Sequence, residues 1–380
     1  MTMLPDFKLE TYLSKWEFAA RYHMTASDME TLSIAELLAM AEPADREAFQ
    51  RLKLGYIETF GTPALRTVIA ATYDGLVSED VIAFAGAEEG IFCAAHALLD
   101  RDSHAVVVTP NYQSSESVPL SICAATGVAL RENENWRLDL DELEAALRPN
   151  TKLVLVNFPH NPTGKVIDHA TFGAVVKLCD ERGIYLFSDE VYRGLERRPQ
   201  LPLPQAAEIY ERGLSLNVMS KAYGLPGLRV GWIACRDRAV LSRMERIKHY
   251  LSICNAGPSE HLAIIALKAR ERILRRNLAL IATNLEAVSD FFDEFADLFD
   301  WQLPDGGCIG FPRYKGKDGV ETFCRRLAEE IGVVLLPASL YQSALTPVPT
   351  DRFRIGFGRS YVPQGLAAMR AWIRGNRRAA

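Results

Sequence analysis

Between Thr62 and Val240 short β-branched apolar runs alternate with stretches of helical spacing, and this alternation constrains the fold more than any other feature. The apolar runs occupy 81–85, 105–109, 153–157, 184–188, 214–219 and 230–235. Helix-compatible stretches at 88–99, 140–147 and 169–182 lie between them. A strand that is apolar throughout leaves no face for water. Such runs therefore predict an α/β body whose mostly parallel sheet is sandwiched by helices. In such sheets ligands bind beyond the carboxyl ends of the strands. That directs attention to the residues from Asn157, Ser188 and Met219 onward.

After Arg238 the texture changes. Long helical stretches at 239–253 and 259–295 meet near Gly257 and Pro258, and the second reads as a spine leading to another domain. That domain is expected to be a smaller α+β unit. Its strands are placed at 310–313, 333–336 and 353–357, and its helices at 321–330 and 363–374. The expected division is 45–265 for the large domain, with 1–44 and 266–380 forming the small one.

Composition excludes several classes. Lys and Arg number 43 against 48 Asp and Glu, a net charge of −5, which is the wrong sign for a nucleic-acid footprint. Seven cysteines are scattered without a CxxC pair, so neither a disulfide framework nor a zinc knuckle is expected. No run of 18 apolar residues suggests a membrane span, and the first ten residues do not read as a secretory signal. The expected compartment is the cytoplasm. Phosphate-loop, nucleophile-elbow, zinc-helix and EF-hand motifs are absent from the sequence, and no metal site is expected. Gly224, Gly227 and Gly231 follow a strand without the GxGxxG spacing. His160, alone between Pro159 and Asn161, reads as structural.

Three segments at predicted strand ends hold the informative polar residues. They are Val154-Leu-Val-Asn-Phe-Pro-His-Asn-Pro-Thr-Gly164, Ile184-Tyr-Leu-Phe-Ser-Asp-Glu-Val-Tyr192 and Val218-Met-Ser-Lys-Ala-Tyr-Gly-Leu-Pro-Gly-Leu-Arg-Val-Gly231. Singly, each has a bland reading as a turn, a helix cap or a solvated surface. Together, on strands of one parallel sheet, they would bring Asn161, Asp189, Tyr192 and Lys221 to one crevice.

The combination resembles the aspartate-aminotransferase superfamily of pyridoxal-phosphate enzymes, fold type I, aminotransferase class I/II. The likeness runs from about Leu54 to the C-terminal region. It implies pyridoxal 5′-phosphate as cofactor, held by Lys221 as a Schiff base. That role needs an amine that burial keeps neutral near pH 7. It implies that Asp189 pairs with the pyridine nitrogen, and that Asn161 and Tyr192 donate to the ring's phenolic oxygen. Ala87 and Glu88 would offer backbone N–H groups to the phosphate where a helix begins, joined by Ser220 and Arg229. Tyr112 would stack on the ring. Tyr56 would reach the phosphate of a neighbouring subunit, making the protein a homodimer. Arg354 would grip the substrate α-carboxylate, helped by Asn161; Arg352 and Arg359 are neighbouring alternatives, and on a strand Arg352 would share a side with Arg354. Trp16, Phe18 and Tyr22 either line the substrate pocket or pack the small domain.

The resemblance implies amino acid and 2-oxo acid substrates and, with Asp189 and Tyr192 both present, transamination. A narrower resemblance, to capreomycidine synthase-like aminotransferases, rests on 156–162, 220–232, 246–251, Gly306-Gly307 and Phe311-Pro312-Arg313. It implies the alternative of β-elimination, replacement or cyclisation. A pyridoxal-phosphate-binding regulator would need a DNA-binding module ahead of this domain. Only about fifty residues precede Tyr56, with no basic helix among them.

Overall fold

The computed structural model describes residues 4–379. Its centre is a seven-stranded sheet built from β1 (Val81–Phe84), β2 (His104–Thr109), β3 (Ala124–Ala129), β4 (Thr151–Asn157), β5 (Tyr185–Asp189), β6 (Gly213–Val218) and β7 (Gly231–Ala234). The order across the sheet is β1-β7-β6-β5-β4-β2-β3. The pairs from β3 through β6 are parallel, and β7 runs antiparallel to both β6 and β1. A mostly parallel sheet is what the continuous apolar runs predict.

Both faces of the sheet are covered. Along β4, Leu153 and Leu155 join one apolar cluster while Val154 and Val156 join the other, as the two-residue period of a strand requires. Each such fully buried aliphatic side chain contributes about 1.5–3 kcal/mol through area removed from water. The first cluster continues without a break through Phe291 and Phe292 to Phe353 and Ile355 beyond the sheet.

The predicted 259–295 spine is two helices. Gly257–Lys268 ends at Ala269, which leaves helical geometry at φ −92° and ψ 11°, and Arg270–Glu294 begins there. The smaller sheet pairs Leu336–Pro337 and Ile309–Gly310 on either side of Phe353–Gly356, all antiparallel. Helices Val320–Ile331 and Val362–Ala379 accompany it. The N-terminal segment is tied to this layer by a bridge between Tyr22 and Val333 and by the Gly356 amide donating to the Met24 carbonyl at 2.7 Å. That tether carries helix α1 (Lys8–Trp16) and residues 23–28 to the carboxyl end of the large sheet. Among the described residues no helix is long and apolar enough to cross a membrane.

Candidate active site

In-register pairing places Asn157 of β4 beside Asp189 of β5, and Asp189 beside Leu216 of β6. The carboxyl ends of these strands open into a cavity of about 790 Å³. Ala87, Glu88, Tyr112, Asn161, Asp189, Tyr192, Ser220, Lys221, Arg229 and Arg354 all line it. Tyr56 does not; it is 91% exposed on this chain.

The connection between β6 and β7 explains how three of these residues meet. The antiparallel return of β7 closes it, with the Met219 amide donating to the Val230 carbonyl at 2.9 Å. Ser220, Lys221 and Arg229 thereby stand on one connection. Lys221 Nζ donates to Ser27 Oγ at 3.0 Å. Burial holds its pKa below the ordinary lysine value; Asp28 opposes this and Arg354 reinforces it. Asp189 is buried at the end of β5, and its Oδ1 accepts from the Val191 amide at 3.2 Å. Burial pushes its carboxyl up to about 6, against the Val191 N–H and the charge of Lys221. The Tyr192 hydroxyl is buried close to the Ser27 side chain, yet no partner among the described residues meets it in hydrogen-bonding geometry. A buried donor without a partner is costly, so this hydroxyl is poised for a group the polypeptide does not supply.

An anion cradle lies beside them. Helix α2 (Ala87–Leu98) starts at Gly86, whose φ of 104° only glycine adopts easily and which offers no side-chain cap. Its first N–H groups are therefore free to meet an anion, and the helix dipole favours one there. The Arg229 guanidinium lies so close to Gly86 that a Cβ would collide with it. Arg229 is itself in the left-handed region at φ 50° and donates to Ser220 Oγ at 3.4 Å and to the Pro226 carbonyl at 3.2 Å. Glu88, in the first turn of α2, has one carboxylate oxygen buried without a partner in hydrogen-bonding geometry among the described residues. Burial raises its carboxyl to about 7, nearby Ser114 opposes that, and Glu10 and Asp189 add to it.

Arg354, which also lines the cavity, is 2% exposed. Nε donates to Thr25 Oγ1 at 3.2 Å, Nη2 to the Thr25 carbonyl at 2.9 Å, and Nη1 to Tyr341 Oη at 2.7 Å and Asn161 Oδ1 at 3.3 Å. These four bonds leave one of the guanidinium's five N–H groups unclaimed. Arg352 does not share this position. Its fork is consumed by Glu132 and the Phe311 carbonyl, and it lies over the Trp136 ring. Arg359 faces the cavity but is paired with Asp28 at 2.6 Å. Tyr112 has its hydroxyl anchored on Glu10 at 2.9 Å and its ring beside Phe7.

Several lining residues carry no sequence signal. Ser27, Asp28, His23, Glu10 and Glu17 arrive with the N-terminal segment, where neither periodicity nor motif marks them. Phe18 lines the cavity while 93% exposed, whereas Tyr22 packs beside Tyr361 and Trp16 lies under Lys15. His160 is structural: its ring bridges the Pro110 carbonyl and Thr163 Oγ1, both at 2.8 Å. No cluster of three His, Cys, Asp or Glu among the described residues could hold a metal ion.

The family model for aminotransferase class I and II matches residues 25–361, and the chain belongs to that family. Its cofactor is pyridoxal 5′-phosphate. The chain is 30% identical over 371 residues to capreomycidine synthase of Streptomyces vinaceus, covering 96% of this chain and 93% of that enzyme. It is 29% identical to an aspartate aminotransferase of Thermotoga maritima, covering 79% of this chain and 80% of the relative. A crystal structure of a PLP-dependent aminotransferase from Streptococcus suis superposes with a TM-score of 0.91 at 28% identity, covering 98% of each chain.

Proposed function

We propose that the protein is a pyridoxal-phosphate-dependent aminotransferase that moves an amino group between an amino acid and a 2-oxo acid. One observation carries this: the desolvated Lys221 amine and the buried Asp189 carboxylate share a cavity that the Arg354 fork also lines. When bound, the cofactor supplies an electron sink for the pair left behind when the substrate Cα loses its proton.

Lys221 holds the cofactor aldehyde and moves the Cα proton. Its depressed pKa raises the neutral fraction of the amine that both tasks need. Asp189 retains a proton on the ring nitrogen by pairing with it. Asn161 Oδ1 is taken by Tyr341 and Arg354, so its Nδ2 is what remains to donate to the ring oxygen, together with the Tyr192 hydroxyl. Tyr112 stacks on the ring. The first amides of α2 at Ala87 and Glu88, with Ser220 and Arg229, take the phosphate. Arg354 grips the α-carboxylate; a two-point grip displaces either Asn161 Oδ1 or the Thr25 hydroxyl, because one N–H alone is unclaimed. Tyr56 completes the phosphate site of a second copy, which makes the working unit a homodimer. The same reading gives 45–265 to the cofactor domain and 1–44 with 266–380 to the smaller one, and places the protein in the cytoplasm.

The identity to capreomycidine synthase along most of the chain supports a second reading, β-elimination, replacement or cyclisation on the same cofactor. Product analysis separates the two. Incubation with one amino acid and one 2-oxo acid is expected to yield the exchanged amino and oxo acids in equal amounts. Ammonia, or a cyclic amino acid without a new oxo acid, would replace transamination with the second reading.

A further inference from the structure

We propose that Glu88 meets the cofactor phosphate as a neutral carboxylic acid, its O–H donating to the anion, so that phosphate and a proton bind together. The proposal rests on reading the start of α2, with Ser220 and Arg229, as the phosphate cradle, and extends that reading from the Glu88 amide to the Glu88 side chain. Glu88 is the second residue of α2 and lines the same cavity as Asp189, Ser220 and Arg229. One of its oxygens is buried, and no partner among the described residues meets it in hydrogen-bonding geometry. The charges that act on its carboxyl are those of Glu10 and Asp189, both of its own sign. Ionised there, it would face a phosphate dianion without a cation to offset it.

The neighbouring groups are committed elsewhere or share the charge of Glu88. Glu10 of α1 accepts from the Tyr112 hydroxyl at 2.9 Å, and burial keeps that phenol protonated, reinforced by Glu88 and Glu10. Lys221 is directed to Ser27, and Arg229 to Ser220 and the Pro226 carbonyl. On α2 itself Glu89 is taken by the Ala85 amide at 2.6 Å and the Ser252 amide at 3.1 Å. The helix Ser114–Ile122 presents Ser114, 1% exposed, whose hydroxyl also has no partner in hydrogen-bonding geometry among the described residues. Burial first, then Glu10 and Asp189, lift the Glu88 carboxyl to about 7 against the pull of Ser114. A protonated carboxyl has one O–H to give, and an incoming anion strengthens its hold on that proton.

The test titrates the cofactor-free full chain with pyridoxamine 5′-phosphate and with pyridoxamine, from pH 7 to pH 9. Neither probe forms an imine with Lys221, and Lys221 and Asp189 ionise in both titrations, so the ratio of the two affinities isolates the phosphate. A phosphate monoester loses its second proton near pH 6, so its own charge is nearly constant over this range. In the wild type that ratio is expected to fall about tenfold for each unit by which the bound phosphate raises the Glu88 pKa. In Glu88→Gln, which keeps a donor but cannot ionise, the ratio should stay level and exceed the wild-type value at pH 9. A wild-type ratio that does not fall, a result that needs no variant, would overturn the proposal and leave the cradle standing. So would a fall that persists in Glu88→Gln. Equal affinity for the two probes at every pH would instead remove the phosphate from this cradle, and the proposal with it.

Discussion

Asp189 is a carboxylate held where a carboxylate is poorly solvated. Its folded-state pKa of about 6 stands above the ordinary 3.8, so the native cofactor-free chain keeps a proton that the unfolded chain gives up. The stability linked to that proton is present below pH 4 and lost as pH rises through 6, a cost of roughly 3 kcal/mol at neutral pH. Asp189→Asn removes that cost. Thermal unfolding of the cofactor-free variant at pH 8 should occur at a higher temperature than that of the wild type, with the gap closing below pH 4. In the loaded enzyme the same change, or Asp189→Ala, should leave the cofactor loosely bound and abolish nearly all turnover. Undiminished turnover would remove Asp189 from the ring-nitrogen role. Asp189, Lys221, Tyr192 and Asn161 were legible in sequence because each ends a strongly apolar strand or follows one directly. Thr25, Ser27 and Glu17 were not. Their segment has no period of its own and reaches the cavity through the Tyr22–Val333 bridge, a pairing across three hundred residues that no local pattern encodes.

At the scale of elements, the start of α2 is the most demanding piece of geometry. Gly86 combines a φ of 104° with an Arg229 guanidinium so near that an added Cβ would collide with it. Gly86→Ala should destabilise the fold by about 1–3 kcal/mol through backbone strain. It should also weaken cofactor binding at least tenfold by moving Arg229; equilibrium titration against the unfolding midpoint separates the two effects. An affinity unchanged despite lower stability would detach Arg229 from the phosphate. The strands around this helix were readable because they are β-branched and buried throughout. β3 was not, since Ala-Ala-Thr-Gly-Val-Ala at an edge has neither the composition nor the burial of its neighbours. The helix Ser114–Ile122 hid for a similar reason: its sequence is rich in serine and carries Pro119 inside. The reversed direction of β7, which folds Ser220, Lys221 and Arg229 together, is a tertiary choice that an apolar run alone does not announce.

At the scale of the whole molecule, several large apolar side chains stand in solvent. Leu54 and Tyr250 are 86% and 91% exposed, and Ile253 and Leu251 are half-exposed on the segment after helix Arg238–Lys248. Lys248 ties this region together by donating to the Thr59 and Ala83 carbonyls, both at 2.7 Å, and to Asn255 Oδ1 at 3.1 Å. Tyr56 stands near the segment so held and is 91% exposed on this chain. Sedimentation is expected to show a dimer. Tyr56→Phe should change monomer stability by no more than about 0.5 kcal/mol while loosening the cofactor severalfold. A monomer with full cofactor affinity would contradict the shared site.

The proposed chemistry requires Lys221 to be the covalent anchor. Reduction of the loaded enzyme with borohydride, followed by mass mapping of its peptides, tests that directly. The pyridoxyl group is expected on the peptide carrying Lys221 and on no other, with Lys221→Ala folded but colourless. A label on a different lysine, or none at all on a protein that still binds the cofactor, would contradict it.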